Sequence, residues 1–250
     1  MTSGAAIARS VALYWGDARR RSALDRWYRR FVAPGGLAFD IGAHVGDRTA
    51  CFRRLGARVV AAEPQPALAR FLRRRFGRDP AVVLVPQAVG AHAGRVTLHV
   101  NDANPTVSTA SAAFLRAAEG ATGWEGQRWT RSIGVRATTL AALARRHGTP
   151  DFIKIDVEGF EAEVLAGLHR PVPALSFEFT TIQRDVAQAA IARLAALGYR
   201  AFSASLGESL RFALPAPVDA RTIRIWIDAL PMEANSGDVY ASLTQHPLRR

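Results

Sequence analysis

The sequence predicts a single open α/β sheet with helices on both faces, and three observations carry that prediction. Short apolar runs alternate with segments of helical period from residue 37 onward. A glycine turn, Gly42-Ala43-His44-Val45-Gly46, directly follows the first of these runs. A second apolar run, Phe152 to Val157, becomes polar only at its carboxyl end, the edge at which such sheets hold ligands.

Leu24, Trp27, Tyr28 and Phe31 share one face of a helix predicted over 20–31, an N-terminal addition packed on the sheet. Pro34-Gly35-Gly36 ends it, and Leu37 to Ile41 forms the first strand. A helix near 47–55, a strand over 57–62, a helix over 66–76 with Leu68, Phe71, Leu72 and Phe76 inward, and a strand over 82–89 follow. Arg95 to Asn101 alternates Val96, Leu98 and Val100 and reads as a further strand, in a hairpin or at an edge. Residues 102–131 lose all period and are expected to be a long loop with a short helix near 111–118, a segment of the kind that serves as a lid. Alternation resumes with a helix over 139–147, strand 152–157, helix 160–168, strand 174–180, helix 184–197 and strand 199–204. Ile223 to Ile227 reads as the last core strand. The expected organisation is a helical extension over 1–33 and one domain over 34–250, with 102–131 as a variable insert.

The 250 residues are 49% hydrophobic and 22% charged, sufficient for a substantial core. No apolar run approaches the ~20 residues that cross a bilayer. The first residues lack a basic start followed by a long apolar stretch, so a cytoplasmic location is expected. Cys51 is the only cysteine, which excludes an internal disulfide and a cysteine-based zinc site. The net charge of +12 raises the question of a phosphate-bearing partner. Yet the arginines are scattered over Arg19 to Arg21, Arg29 and Arg30, Arg73 to Arg75, Arg145 and Arg146 and the terminal pair. Arginine has replaced lysine almost everywhere, Lys154 being the sole lysine, and nucleic acid is not the expected partner.

Gly42 and Gly46 let the backbone turn tightly beside a ligand, while the following helix offers unpaired amides. The spacing is not the G-x-G-x-x-G of a dinucleotide site, and Asp40 ahead of the turn would repel a pyrophosphate. A carboxylate there suits a cationic ligand such as S-adenosylmethionine, which carries an ammonium and a sulfonium. Glu63 ends the second strand, where such folds hold ribose hydroxyls. In the second motif, Lys154, Asp156 and Glu158 belong to one strand end and are expected to face the site. Glu158 and Glu161 also suit the start of the next helix, a simpler role contributing ~0.3–1 kcal/mol each.

These residues together resemble the FkbM-type S-adenosylmethionine-dependent methyltransferases. The resemblance spans about Pro34 to Phe179 and rests on Phe39 to Gly46, Ala62-Glu63-Pro64, Gln87-Ala88-Val89-Gly90, and Ile153-Lys154-Ile155-Asp156-Val157-Glu158-Gly159 with Glu161 following. His44 stands where that family usually has asparagine. The resemblance implies a Rossmann-like sheet of seven strands, mostly parallel with the last antiparallel, and methyl transfer to a hydroxyl of a sugar or other small metabolite. It implies that Asp40, Gly42, His44 and Gly46 line the methionine and ribose, Glu63 the ribose hydroxyls, and Gln87 with Ala88 the adenine, with Asp156 and Glu158 beside the methyl.

An alcohol acceptor loses a proton, and Glu158 is the first choice of base and Asp156 the second, with Lys154 orienting their charge. His44 is a rival, and Glu178 is a further carboxylate at the same edge. No metal is expected: Asp156, Glu158, Glu178 and a histidine suit a divalent cation chemically but carry no spacing signature. Trp124 and Trp129 either stack on the acceptor or anchor the insert. The oligomeric state is left open, since the helix bearing Trp27 and Tyr28 suits either its own domain or a partner subunit.

Overall fold

A computed structural model describes residues 3–248. Two helices, α1 (Ser3–Trp15) and α2 (Ala18–Tyr28), precede β1 (Leu37–Ile41), α3 (Asp47–Arg54), β2 (Arg58–Ala62), α4 (Pro66–Phe76) and β3 (Val82–Val85). Then come β4 (Ala88–Val89), β5 (Gly94–Val100), α5 (Ala112–Ala118), β6 (Arg131–Thr138), α6 (Leu140–His147) and β7 (Phe152–Ile155). The chain ends with α7 (Glu161–Ala166), β8 (Ala174–Thr180), α8 (Arg184–Ala196), β9 (Ala201–Leu206), α9 (Ala220–Asp228) and β10 (Ser236–Ser242).

The main sheet has seven strands in the order β3-β2-β1-β7-β8-β10-β9. β10 runs antiparallel to both neighbours and the other pairings are parallel. This is the Rossmann-like α/β sheet expected, and strand order reverses between β1 and β7, where such sheets open a crevice. β1 and β7 are buried at every residue because helices cover both faces. Phe39, Ile41, Ile153, Ile155 and Phe177 pack with Ile191 and Leu194 of α8 and Ile223 and Ile227 of α9 on one face. Ala38, Phe152 and Tyr240 meet Trp27 and Tyr28 of α2 and Phe52 of α3 on the other. Trp27 Nε1 donates to Tyr240 Oη at 2.8 Å, so the buried indole N–H has its acceptor.

The run Ile223 to Ile227 is not the last strand but the inner face of α9. Asp219 caps that helix by accepting from Thr222 N at 2.8 Å, and Ile223 and Ile227 are buried one turn apart while Ile225 is 59% exposed. A strand would have put all three on one face. The last strand is β10 instead. The strand expected over 82–89 divides at Pro86, which has no N–H for a ladder: β3 joins the main sheet and β4 a second sheet. That second sheet, ordered β4-β6-β5, contains β6, which the sequence reading left partly inside the loop. β5 pairs antiparallel with β6 from Gly94↔Ala137 to Val100↔Arg131. The helical extension expected over 1–33 is two helices, α1 and α2, where the sequence located only one, over 20–31.

Candidate active site

A cleft of about 950 Å³ opens at the carboxyl ends of β1, β2 and β7. Its walls include Asp40, Gly42, His44, Glu63, Gln87, Ala88, Lys154 and Asp156, which the sequence singles out. The turn after β1 is tight: Gly42 has φ 82°, and a Cβ there would lie 1.7 Å from the Asp156 carbonyl oxygen. Glycine is therefore required where the turn meets the end of β7. Gly46, at φ 76°, lies outside the cleft lining and packs against Leu72 and Phe76 of α4.

His44 has φ 49°, an uncommon conformation for a side-chain-bearing residue. Its backbone N–H donates to Glu63 Oε2 at 2.9 Å, and Gln65 N donates to Glu63 Oε1 at 2.8 Å. Two main-chain donors thus aim the carboxylate while each oxygen keeps a free lone pair. Burial pushes the Glu63 carboxyl up to about 7, against the pull of those two bonds. Asp40 is 2% exposed and accepts from Thr49 Oγ1. Burial pushes it up to about 6, Thr49 restraining the shift. The imidazole of His44 is packed edge-on against Tyr14, and burial lowers its pKa.

On the β7 side, Lys154 is 2% exposed and donates to Asp156 Oδ2 at 3.1 Å and Asp238 Oδ1 at 2.8 Å. Burial opposes its charge, but the two carboxylates hold its pKa well above the usual value. Of the acids in this motif, Asp156 lines the cleft, whereas Glu158 and Glu178 do not. Carboxylate oxygens of Asp156, Glu158 and Glu178 nevertheless lie within 4.8 Å of one another. Burial and then the Asp156 charge raise both Glu158 and Glu178 well above the carboxylate range, with Glu161 adding to the rise at Glu158 and Glu158 to that at Glu178. Glu161 Oε1 accepts from Val157 N at 3.1 Å and so ties the motif to the start of α7.

Several cleft residues escape sequence reasoning. Gln65 follows Glu63 by two positions, is 4% exposed, and leaves its Oε1 without a partner. Thr106 and Ser108 come from the aperiodic insert, with Ser108 Oγ accepting from Gln65 Nε2 at 3.1 Å. Tyr14 comes from α1, which is docked by Trp15 Nε1 donating to Val45 O at 3.1 Å. Burial and the charges of Asp156, Glu208 and Asp47 push the Tyr14 phenol up to about 12. Arg48 and Glu208 pair at 2.8 Å beside it. Burial works against ionisation of Glu208, yet Arg48 and Arg20 pull its carboxyl down to about 2. Trp124 and Trp129 lie outside the cleft lining and pack around Phe114 of α5, with Trp124 Nε1 donating to Asn235 Oδ1 and Trp129 Nε1 to Val107 O.

The residues present fit S-adenosylmethionine. The orphaned Gln65 oxygen and the free lone pairs of Glu63 offer acceptors to hydroxyl or amino groups. Ala88, Val89, Leu98 and Phe160 supply an apolar wall. Asp40, Asp47, Glu63, Asp156 and Glu208 make the cleft predominantly acidic, as a cationic ligand needs.

Fold and cleft together define a Rossmann-like α/β domain with an acidic cleft at the point where strand order reverses. The sequence matches the methyltransferase FkbM domain over residues 40–201, and the chain belongs to that family, whose cofactor is S-adenosylmethionine. No curated relative is matched. Among solved structures, the methyltransferase FkbM of Methylobacillus flagellatus KT is 13% identical at TM-score 0.48, with 87% of this chain and 50% of that one covered. This chain thus spans half the length of that relative. A TehB-like SAM-dependent methyltransferase from Corynebacterium glutamicum is 13% identical at TM-score 0.49, with coverages of 94% and 92%. Aeropyrum pernix fibrillarin, in complex with natively bound S-adenosyl-L-methionine, is 11% identical at TM-score 0.43, with coverages of 84% and 68%.

Proposed function

We propose that this chain is a cytoplasmic O-methyltransferase acting on a hydroxyl of a small metabolite or sugar. The observation that carries the reading is Asp156, a half-buried carboxylate in the cleft wall, oriented by a buried lysine. When bound, S-adenosylmethionine supplies a methyl group on a sulfonium that departs as a neutral thioether. The protein's task is to hold the acceptor oxygen in line with that methyl and remove its proton. Asp156 accepts the proton as the new C–O bond forms, and Lys154, anchored on Asp238, keeps the carboxylate aimed. Glu63 receives the ribose hydroxyls, Gln87 and Ala88 border the adenine, and Gly42 with Asp40 and His44 borders the methionine portion.

The arginines weigh against a nucleic-acid surface. Arg53 pairs with Asp79, Arg54 with Asp25 and Arg131 with Asp102, and Arg184 donates to the main-chain carbonyls of Asp228 and Leu230 at the end of α9. No helix among the described residues is long and apolar enough to cross a membrane.

The test is a screen of hydroxylated sugars and small alcohols for S-adenosylhomocysteine release, comparing wild type with Asp156→Asn. The expected outcome is turnover with at least one hydroxylated acceptor and a fall of ~10²–10⁴-fold in kcat for the variant. Turnover confined to RNA, with affinity falling steeply as salt rises, would overturn the proposal.

A further inference from the structure

We infer that Asp156, Glu158 and Glu178 form, with Gln183, a binding site for a hard divalent cation. The three carboxylates come from two chain segments, the turn after β7 and the end of β8, and offer oxygens that all lie within 4.8 Å of one another. A Ca²⁺-sized ion binding oxygens at ~2.3–2.6 Å spans that separation across its own diameter.

The carboxylates do not stand alone. Gln183 is 6% exposed, and its carbonyl oxygen Oε1 is buried with no hydrogen-bond partner. It lines a narrow recess together with Gly159, Glu161 and Glu178. Glu178 Oε2, in the same recess, is likewise buried without a partner. An unpaired buried acceptor costs about 1–3 kcal/mol, and each of these two calls for a donor or a cation. A cation satisfies both, because it accepts lone pairs from several oxygens at once.

Charge points the same way. Lys154 feels the charges of Asp156, Asp238 and Glu178, and its ammonium is committed to Asp156 and Asp238. Glu158 and Glu178 have no cation of their own among the described ion pairs. The donor set is all oxygen, which selects Mg²⁺, Mn²⁺ or Ca²⁺ over zinc or copper. Asp156 belongs both to this group and to the cleft wall. A cation held here would touch the cleft through Asp156, the one member of the group in its wall, and would orient an acceptor there. That use rests on the O-methyltransferase reading; the binding of the ion does not.

The test is calorimetric titration of Ca²⁺ and, separately, Mn²⁺ into chelator-treated full-length protein, with free Mn²⁺ followed by electron paramagnetic resonance. Wild type is expected to bind one ion per chain with a Kd below ~1 mM. Glu178→Gln and Gln183→Leu are each expected to weaken binding at least ~10-fold. Both variants should bind S-adenosylhomocysteine within about threefold of wild type, which reports a folded protein and a cofactor site left intact. If Glu178→Gln does not fold, Gln183→Leu decides alone. An absence of stoichiometric Ca²⁺ or Mn²⁺ binding to wild type, or unchanged affinity in both variants, overturns the site. Loss of S-adenosylhomocysteine binding by wild type itself would instead refute the cofactor assignment and leave the metal result standing.

Discussion

Removing the Glu63 carboxylate tests the cofactor site most directly. In the free protein each oxygen of that group accepts one main-chain N–H, from His44 and from Gln65. The remaining lone pairs are what two ribose hydroxyls would use. A hydrogen bond to a charged acceptor contributes roughly 1.5–3 kcal/mol, so Glu63→Ala forfeits ~3–6 kcal/mol, or ~10²–10⁴-fold in affinity. Glu63→Gln is also costly, because whichever way the carboxamide turns, its NH₂ meets one of those two N–H groups. The pH dependence is a second readout. The Glu63 carboxyl is raised from 4.5 to about 7 by burial, so between these values the folded protein holds a proton that the unfolded chain has released. Its contribution to stability is thus fully present below pH 4.5 and is lost as pH rises through 7. Cofactor binding runs the other way, since hydroxyl donors need the ionised form. Affinity for S-adenosylhomocysteine should tighten by up to ~10-fold per pH unit approaching pH 7 and then level off. Calorimetry from pH 5.5 to 8.5, in buffers of different ionisation enthalpy, would register the released proton. Wild-type-like affinity in Glu63→Ala, or an unaltered pH slope in Glu63→Gln, would refute the assignment.

Lys154→Met leaves Asp238, whose side chain is 14% exposed, without its ammonium. The expected cost is ~3–5 kcal/mol in urea unfolding, largely recovered when Asp238→Leu is added; a loss under ~1 kcal/mol would contradict the pairing. Gly42→Ala forces a Cβ into the Asp156 carbonyl at φ 82°, with backbone and no flexible side chain in the way. Cofactor binding should drop by at least ~30-fold, about 2 kcal/mol of strain, and equal titration curves for variant and parent would speak against the close approach. Trp15→Ala removes the donor to Val45 O and the ring contacts with Phe76 and Arg75 that dock α1. Limited proteolysis should then cut within α1 faster than in wild type, and an unchanged cleavage rate would show that other contacts hold the helix.

What was legible in the sequence follows from local rules. The glycine turn after β1 could be read because an apolar run, an acid and two glycines lie within eight residues of one another, Phe39 to Gly46. Glu63 could be read because it ends a strand whose register is set by β1, with Ile41 opposite Ala62. β6 was hidden because Ile133, Val135 and Ala137 alternate with Ser132, Gly134 and Arg136, a weak pattern that becomes a strand only when β5 pairs with it. The sequence Thr222 to Ile227 carries strand-like isoleucines, yet the Asp219 cap and the pairing of Ile223 with Ile227 on one face make it a helix. Tyr14, Thr106 and Ser108 reach the cleft from segments whose positions depend on tertiary docking, which no periodicity encodes.

The isolated lysine links the legible and hidden parts of the site. A chain that uses arginine for every exposed cation keeps its one lysine inside β7, 2% exposed. Arginine's planar fork would not sit as a point charge between Asp156 and Asp238, which approach from different strands. The compact ammonium is shared between those two acids and reaches no further, leaving Glu158 and Glu178 either protonated or, when ionised, in need of another cation. Glu158 is held there at φ 57°, a backbone state retained where the surroundings over-determine it. Thr109 of the insert enforces that turn by donating to the Glu158 carbonyl, and Phe114 packs over Gly159. The insert is therefore coupled mechanically to the acidic group through one hydrogen bond and one ring contact.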